Sequence, residues 1–156
     1  MNLQAEGYRF RAPIAADFES WLALYQKYAV DVKTTVDRDI ARIVWAWFID
    51  PHHPAKCVLV AGEEAVVGFA HFRSFPRTLN GNEAGYIDDL YVSPDHRGSG
   101  LARAVIEHVA DIGARRRWSH LRWVVFEDNE RARGLYDQIA ERSDLLTYIM
   151  PICARP

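Results

Sequence analysis

Tyr91-Val92-Ser93-Pro94-Asp95-His96-Arg97-Gly98-Ser99-Gly100-Leu101-Ala102 runs from a β-rich segment through a glycine loop directly into an amphipathic helix. That layout predicts a cradle for a pyrophosphate. Glycines at 98 and 100 let the backbone approach a bulky anion without Cβ interference. The free N–H groups of the following helix's first turn, aided by its dipole, point at negative charge.

Spacing narrows the type of cradle. A dinucleotide fold uses G-x-G-x-x-G, and here Arg103 stands where the third glycine would fall. A nucleotide-hydrolase phosphate loop needs G-x-x-x-x-G-K-[ST], and no Lys-Ser or Lys-Thr follows these glycines. Arg97-Gly98-Ser99-Gly100-Leu101-Ala102 instead fits [Arg/Gln]-x-x-Gly-x-[Gly/Ala]. It resembles the acetyl-CoA pyrophosphate loop of the GNAT superfamily of N-acetyltransferases. Downstream, Asn129-Glu130-Arg131-Ala132-Arg133-Gly134-Leu135-Tyr136 is similar to that family's Asn-x-x-Ala-x-x-[Leu/Phe]-Tyr helix. Ile87-Asp88-Asp89-Leu90-Tyr91-Val92 resembles the acidic strand of its diamine, polyamine and amino-acid acetylating branches. The likeness covers about Gly85 to Met150, with a fainter echo in Arg11-Ala12-Pro13 and Asp17.

Size and composition agree with one enzyme domain spanning residues 1–156. A chain of 156 residues buries roughly two thirds of its unfolded surface. Its 49% hydrophobic and 26% charged residues are ordinary for a globular protein, and no apolar run approaches the ~20 residues of a membrane span. Met1 to Glu6 lack the regions of a signal peptide, so a cytoplasmic protein is expected, with no membrane partner. The net charge of −2 gives no global attraction to nucleic acid, and none is expected as a partner. Arg115-Arg116-Arg117 is better read as the cationic end of a helix. Cys57 and Cys153, without metal spacing, are read as reduced structural thiols, and His52-His53 between prolines as a loop, so no metal is expected.

The periodicity predicts a short strand over Tyr8–Arg11 and a helix from Asp17 with an apolar face including Trp21 and Tyr25. A connector over Val30–Val36 precedes a second helix from about Asp37 to Phe48. Lys56–Ala61 and Ala65–Ser74 read as a hairpin around Gly62-Glu63-Glu64, and Pro76–Gly85 as a loop before a strand Tyr86–Val92. A helix of about four turns from Leu101, a buried strand Leu121–Phe126, a helix Asn129 to about Ala140 and a strand Leu145–Met150 complete the chain. The expected fold is α/β, a mixed sheet flanked by helices. Its parallel strands ending near Val92 and Phe126 would splay to form a ligand crevice.

The chemistry implied by the resemblance is acetyl transfer from acetyl-CoA to a primary amine of a small molecule, directly within a ternary complex. An alkylammonium with a pKa near 10 is nucleophilic in about one molecule in a thousand at pH 7, a cost of roughly 4 kcal/mol. A carboxylate can hold that cation and accept its proton, and a donor must protonate the departing thiolate. Asp88 and Asp89 are the candidate carboxylates, pointing to opposite faces on a regular strand, so that only one meets the cleft. The resemblance favours Asp88. It also assigns Tyr136 as the general acid. Leu90, Tyr91, Val92, Arg97, Gly98, Ser99, Gly100, Leu101, Ala102, Asn129 and Arg133 are assigned to the cofactor. The backbone of Leu90 and Val92 would run along the pantetheine amides as another strand does, and a bulge there would free an N–H for the thioester carbonyl. Asn129 is also a natural N-cap. Gly134 inside a helix reads as ordinary tolerance or as close approach of a neighbour.

His71 is weighed as a core residue or an auxiliary base, His96 as solvent-exposed or CoA-contacting, and Trp45 and Trp47 as core or as a border of the acceptor pocket. The acceptor that the resemblance implies is a diamine, polyamine or amino acid. A protein lysine or N-terminus is the alternative, and a non-catalytic CoA sensor a reading from another class. By resemblance a homodimer is expected.

Overall fold

A computed structural model describes residues 7–152, in two compact units that divide between Val124 and Val125. The first unit is built on a sheet in the order β1 (Arg9–Arg11), β2 (Lys56–Ala61), β3 (Val66–Arg77), β4 (Asn82–Val92) and β5 (Leu121–Arg122). Neighbours are antiparallel except β4 and β5, which are parallel. Between the strands lie α1 (Phe18–Asp31), α2 (Arg38–Ile49) and α3 (Leu101–Arg115). The predicted α/β class with a mixed sheet and flanking helices is what forms.

Alternation sorts the strands' side chains between two layers. Leu59, Phe69 and Tyr91 point to one face, where α1 and α2 close over them with Trp21, Leu22, Leu24, Ala41, Trp45 and Phe48. Indole and phenyl rings meet edge-on or tilted there, Trp21 lying 4.9 Å from Trp45 and 5.9 Å from Phe48. Trp45 is thus a core residue, whereas Trp47 is exposed and stacks on His53 at 5.1 Å. On the opposite face α3 packs against β2, β3 and β4 through Leu101, Val105 and Val109. Asp37 caps α2 by accepting from the Ile40 N–H at 2.8 Å, worth about 1 kcal/mol.

The β3–β4 hairpin is longer than the sequence predicts. Pairing continues to Arg77 opposite Asn82, so most of the expected loop Pro76–Gly85 is strand. Cross-strand aromatic and guanidinium contacts extend it, with Arg73 4.8 Å from the Tyr86 ring and Arg122 4.4 Å from the Phe75 ring. Gly81, at φ +61°, turns the chain. At the far end of the sheet Trp118 fills the space that side chains at Gly85 and Gly113 would take, tying β4 to α3.

The parallel strand is shorter than expected. β5 pairs only through Gly85 with Leu121 and Tyr86 with Arg122, and Val124, Val125 and Phe126 are exposed rather than buried. An apolar run becomes a central strand only if a second partner strand covers its other edge, and β5 is the edge of this sheet.

The second unit contains α4 (Glu130–Ile139), preceded by a turn. The strand predicted over Leu145–Met150 does not form. Those residues have no regular structure, and Leu145, Leu146, Tyr148, Ile149 and Met150 are exposed. Cys153 lies outside the described residues.

Candidate active site

In the first unit the glycine loop follows β4 through a short turn at Pro94–His96. Gly98 and Gly100 both have φ +80°, a conformation costly for any residue with a Cβ, and neither has another residue within 4 Å of where a Cβ would stand. Gly100 caps α3 from the left-handed region and supplies no side chain to the helix start. The first-turn N–H groups of Leu101, Ala102 and Arg103 therefore have no side-chain cap, as an anion site at a helix start requires. Ser99 Oγ donates to the His96 carbonyl at 2.6 Å and tightens the loop.

Arg97 makes its contacts within the fold. Its Nε donates to the Val92 carbonyl at 2.9 Å and a terminal nitrogen to Asp31 at 3.2 Å, with the guanidinium 5.5 Å from the Tyr91 ring. It braces the loop against the ends of β4 and α1. Val92's carbonyl, expected to serve the pantetheine arm, is engaged by this arginine. His96 is likewise tied down, its Nδ1 2.8 Å from the Tyr8 hydroxyl.

Upstream, β4 carries the bulge. His71 pairs with Asp89 and Phe72 with Ile87, so Asp88 is the extra residue with no opposite number on β3. A bulge suspends strict alternation. Asp89 reaches His71 and Asp88 reaches Arg73, two residues that share a face of β3. Both carboxylates therefore lie on the α1 side of the sheet, which corrects the expectation that only one could. The β5 ladder ends at Tyr86, and among the described residues no strand pairs with Ile87–Val92 on that side.

The two carboxylates sit in different surroundings. Asp88 meets Arg73 Nε through both oxygens, at 3.1 and 3.2 Å, with 38% of its side chain exposed. Burial pushes its carboxyl above the ordinary range, and the Arg73 charge and hydrogen bond work against that rise. Asp89 Oδ2 meets His71 Nδ1 at 2.8 Å, and its side chain is 25% exposed. Behind it His71 is buried, its Nε2 2.9 Å from the Trp21 indole nitrogen. Tyr25 stands beside His71 with ring centroids 5.1 Å apart. Burial first, and Asp89's charge second, push its phenol up to about 12.

Asp89 is distinctive in its charge balance. Asp17 pairs with Arg11, Glu19 with Arg38, Asp31 with Arg97 and Asp88 with Arg73, each a carboxylate against a guanidinium. Asp89 instead pairs with an imidazole. The sequence assigns none of Trp21, Tyr25 and Arg73 to the site. Strand alternation places Arg73 on His71's face, but the aromatic positions of α1 read only as core.

In the second unit Asn129 caps α4, its Oδ1 accepting from the Ala132 N–H at 3.1 Å. Arg133 donates to the Glu127 carbonyl at 2.8 Å, so its guanidinium supports the turn before its own helix. Burial raises the Tyr136 phenol above its ordinary value, which keeps it protonated at neutral pH. A Cβ at Gly134 would meet no atom within 4 Å, so no neighbour among the described residues accounts for this glycine.

The sequence profile of the Acetyltransferase (GNAT) family matches residues 18–140. The D-amino-acid N-acetyltransferase HPA3 of Saccharomyces cerevisiae is 31% identical over 134 residues, which is 85% of this chain and 83% of that protein. The thialysine N-epsilon-acetyltransferase of Bos taurus is 35% identical over 71 residues, 46% of this chain and 41% of its own. Among solved structures, a ribosomal-protein-alanine N-acetyltransferase from Brucella melitensis superposes with a TM-score of 0.78 at 28% identity, covering 93% of this chain and 99% of that one. AAC(6')-Iy, in complex with a CoA bisubstrate analogue, shares the fold with a TM-score of 0.80 at 14% identity, covering 94% of this chain and 99% of its own. Loop geometry, bulged acidic strand and sequence kinship lead to one conclusion: this chain belongs to the GNAT family of acetyltransferases.

Proposed function

We propose that the protein transfers an acetyl group from acetyl-CoA to the primary amine of a small molecule, in a ternary complex and without a covalent carrier, and that an amino acid is the acceptor class. The observation that carries this reading is the charge balance around the bulge. Among the described residues one carboxylate, Asp89, has no guanidinium partner, whereas its neighbour Asp88 is matched by Arg73. A single uncompensated anion suits a single ammonium. A diamine or polyamine brings a second cation and finds Arg73 beside the site. An amino acid brings a carboxylate, which Arg73 can face. The relative named for D-amino acids matches most of the chain and supports the same class.

In this mechanism Asp89 holds the ammonium and takes its proton, directly or through water, and Asp88 tunes the local charge. The amine nitrogen attacks the thioester carbonyl, the C–S bond breaks as the tetrahedral intermediate collapses, Tyr136 gives its proton to the departing sulfur, and the surplus proton of the attacking nitrogen leaves through water to restore the phenol. Leu90 and Tyr91 lie along β4 where the pantetheine arm would pair, and the glycine loop with Leu101 and Ala102 would hold the pyrophosphate. Asn129 orders the start of the helix that carries Tyr136. Both units belong, in this reading, to one acetyltransferase domain, working as a cytoplasmic homodimer.

The test is release of CoA thiol from acetyl-CoA with D- and L-amino acids, diamines, polyamines, aminoglycosides and lysine or N-terminal peptides. Turnover with amino acids is the expected result; turnover with peptides alone would move the assignment to protein acetylation, the activity named in the Brucella structure. Tyr136→Phe is expected to lower kcat by about ten- to a thousandfold with little change in CoA affinity. Gly100→Val, forced into φ +80°, should abolish acetyl-CoA binding in calorimetry, and normal affinity would remove the loop from the donor site.

A further inference from the structure

The geometry points to Trp21 and His71 as a buried positioning pair that holds one oxygen of Asp89 and leaves the other aimed at the acceptor amine. This rests on the proposed role of Asp89. The indole N–H of Trp21 can only donate, so the His71 Nε2 it faces at 2.9 Å must present a lone pair. The imidazole proton then sits on Nδ1 and is donated to Asp89 Oδ2 at 2.8 Å. One donor-only side chain thus fixes the tautomer of the next and the orientation of the third.

The packing makes this arrangement rigid. Trp21 is fully buried and His71 is 3% exposed. The imidazole lies 4.4 Å from Phe69, 4.5 Å from Phe48 and 5.1 Å from Tyr25, centroid to centroid, walled by rings from α1, α2 and β3. It has no room to turn. Neither nitrogen faces the open side of Asp89, so His71 is a positioning residue and not the auxiliary base considered from the sequence. Asp89 Oδ1, by contrast, has no hydrogen-bond partner among the described residues.

Titratable or charged groups facing this corner are Tyr25 from α1, Cys57 from β2, Arg73 from β3 and Asp88 from β4. None donates to or accepts from the imidazole. Removing the indole donor by Trp21→Phe releases the constraint on Nε2, so that Nδ1 need no longer donate to Asp89 and the carboxylate loses its fixed orientation. The pH–rate profile of Trp21→Phe should therefore differ in shape from that of wild type. His71→Phe should lower kcat by roughly 10- to 100-fold with the acetyl-CoA KM unchanged. His71→Asn, which restores a donor near Nδ1, should recover most of that loss.

A merely structural role would lower thermal stability in all three variants without reshaping the pH profile, and that outcome overturns the proposal. Where a variant fails to fold, the wild-type enzyme still decides. Nitrogen-15 NMR of histidine-labelled protein should show His71 protonated at Nδ1 and bare at Nε2, and the opposite tautomer refutes the pair. The parent reading fails separately. If Asp89→Asn keeps full activity, the role of Asp89 is wrong; if it loses activity while His71→Phe and Trp21→Phe do not, only the positioning pair is.

Discussion

At one bulge, β4 offers two adjacent carboxylates to the same face of the sheet in unlike settings. The Asp89 corner is closed, with an imidazole, an indole and three more aromatic rings behind it and a single oxygen left outward. The Asp88 corner is open, a ladder in which Arg73, Tyr86 and Arg122 follow one another across three strands. Proximity in sequence therefore says little about electrostatic role. A carboxylate matched by a guanidinium at 3.1 Å is already half-spent as a cation site, whereas one held by an imidazole keeps its charge for a ligand.

The sharpest way to break this comparison is to neutralise each member in turn. Asp89→Asn should reduce kcat/KM for the amine by about 100- to 1000-fold, while Asp88→Asn should cost less than about fivefold. Steady-state kinetics with saturating acetyl-CoA decide it. If Asp88→Asn proves the more damaging, the charge-balance argument is wrong and the preference drawn from family resemblance stands.

That preference shows where sequence reading stops. The glycine loop and α3 were legible because their signals are local: two glycines, a helical period and an arginine at fixed spacing. The N-cap at Asn129 and the start of α2 near Asp37 were legible for the same reason. A bulge is a property of register between strands, and nothing in Ile87-Asp88-Asp89-Leu90 announces which residue β3 will skip. Trp21 reads as core because most of its surface is apolar, yet one nitrogen of that ring decides the tautomer of His71. Apolar runs at Leu121–Phe126 and Leu145–Met150 report an affinity for sheets, not the presence of a partner edge, and here they give two strand residues and none.

A smaller effect sharpens the comparison from the cation's side. Arg73→Gln leaves both carboxylates without a guanidinium, making the corner a better site for a second ammonium. A charge at such a half-exposed position is worth about 1 kcal/mol, so the ratio of kcat/KM for a diamine over an amino acid should rise about fivefold. The shift should shrink in high salt, as exposed electrostatics do. An unchanged ratio would mean that Arg73 faces no part of the acceptor.

The smallest expected effect concerns stability, and its sign follows from the direction of the Asp88 shift. Burial raises this carboxyl's pKa in the folded protein, so the folded state binds its proton more readily than the unfolded one. The ionised form therefore carries a cost that is present above the folded pKa. The cost is relieved as pH falls through that value and is absent below the unfolded one. Asp88→Asn removes the charge that bears this cost and also the ion pair with Arg73, which at 38% side-chain exposure is a weak interaction. The variant should be as stable as wild type or slightly more so at pH 7, by a few tenths of a kcal/mol at about that pH, a Tm shift of roughly 1 to 2 °C. At pH 3 the difference should vanish, because the wild-type carboxyl is then protonated. Thermal melts at the two pH values measure this directly. A variant destabilised by more than about 1 kcal/mol at pH 7 alone would show that the Arg73 pair outweighs burial, making Asp88 a structural anion instead of a tolerated one.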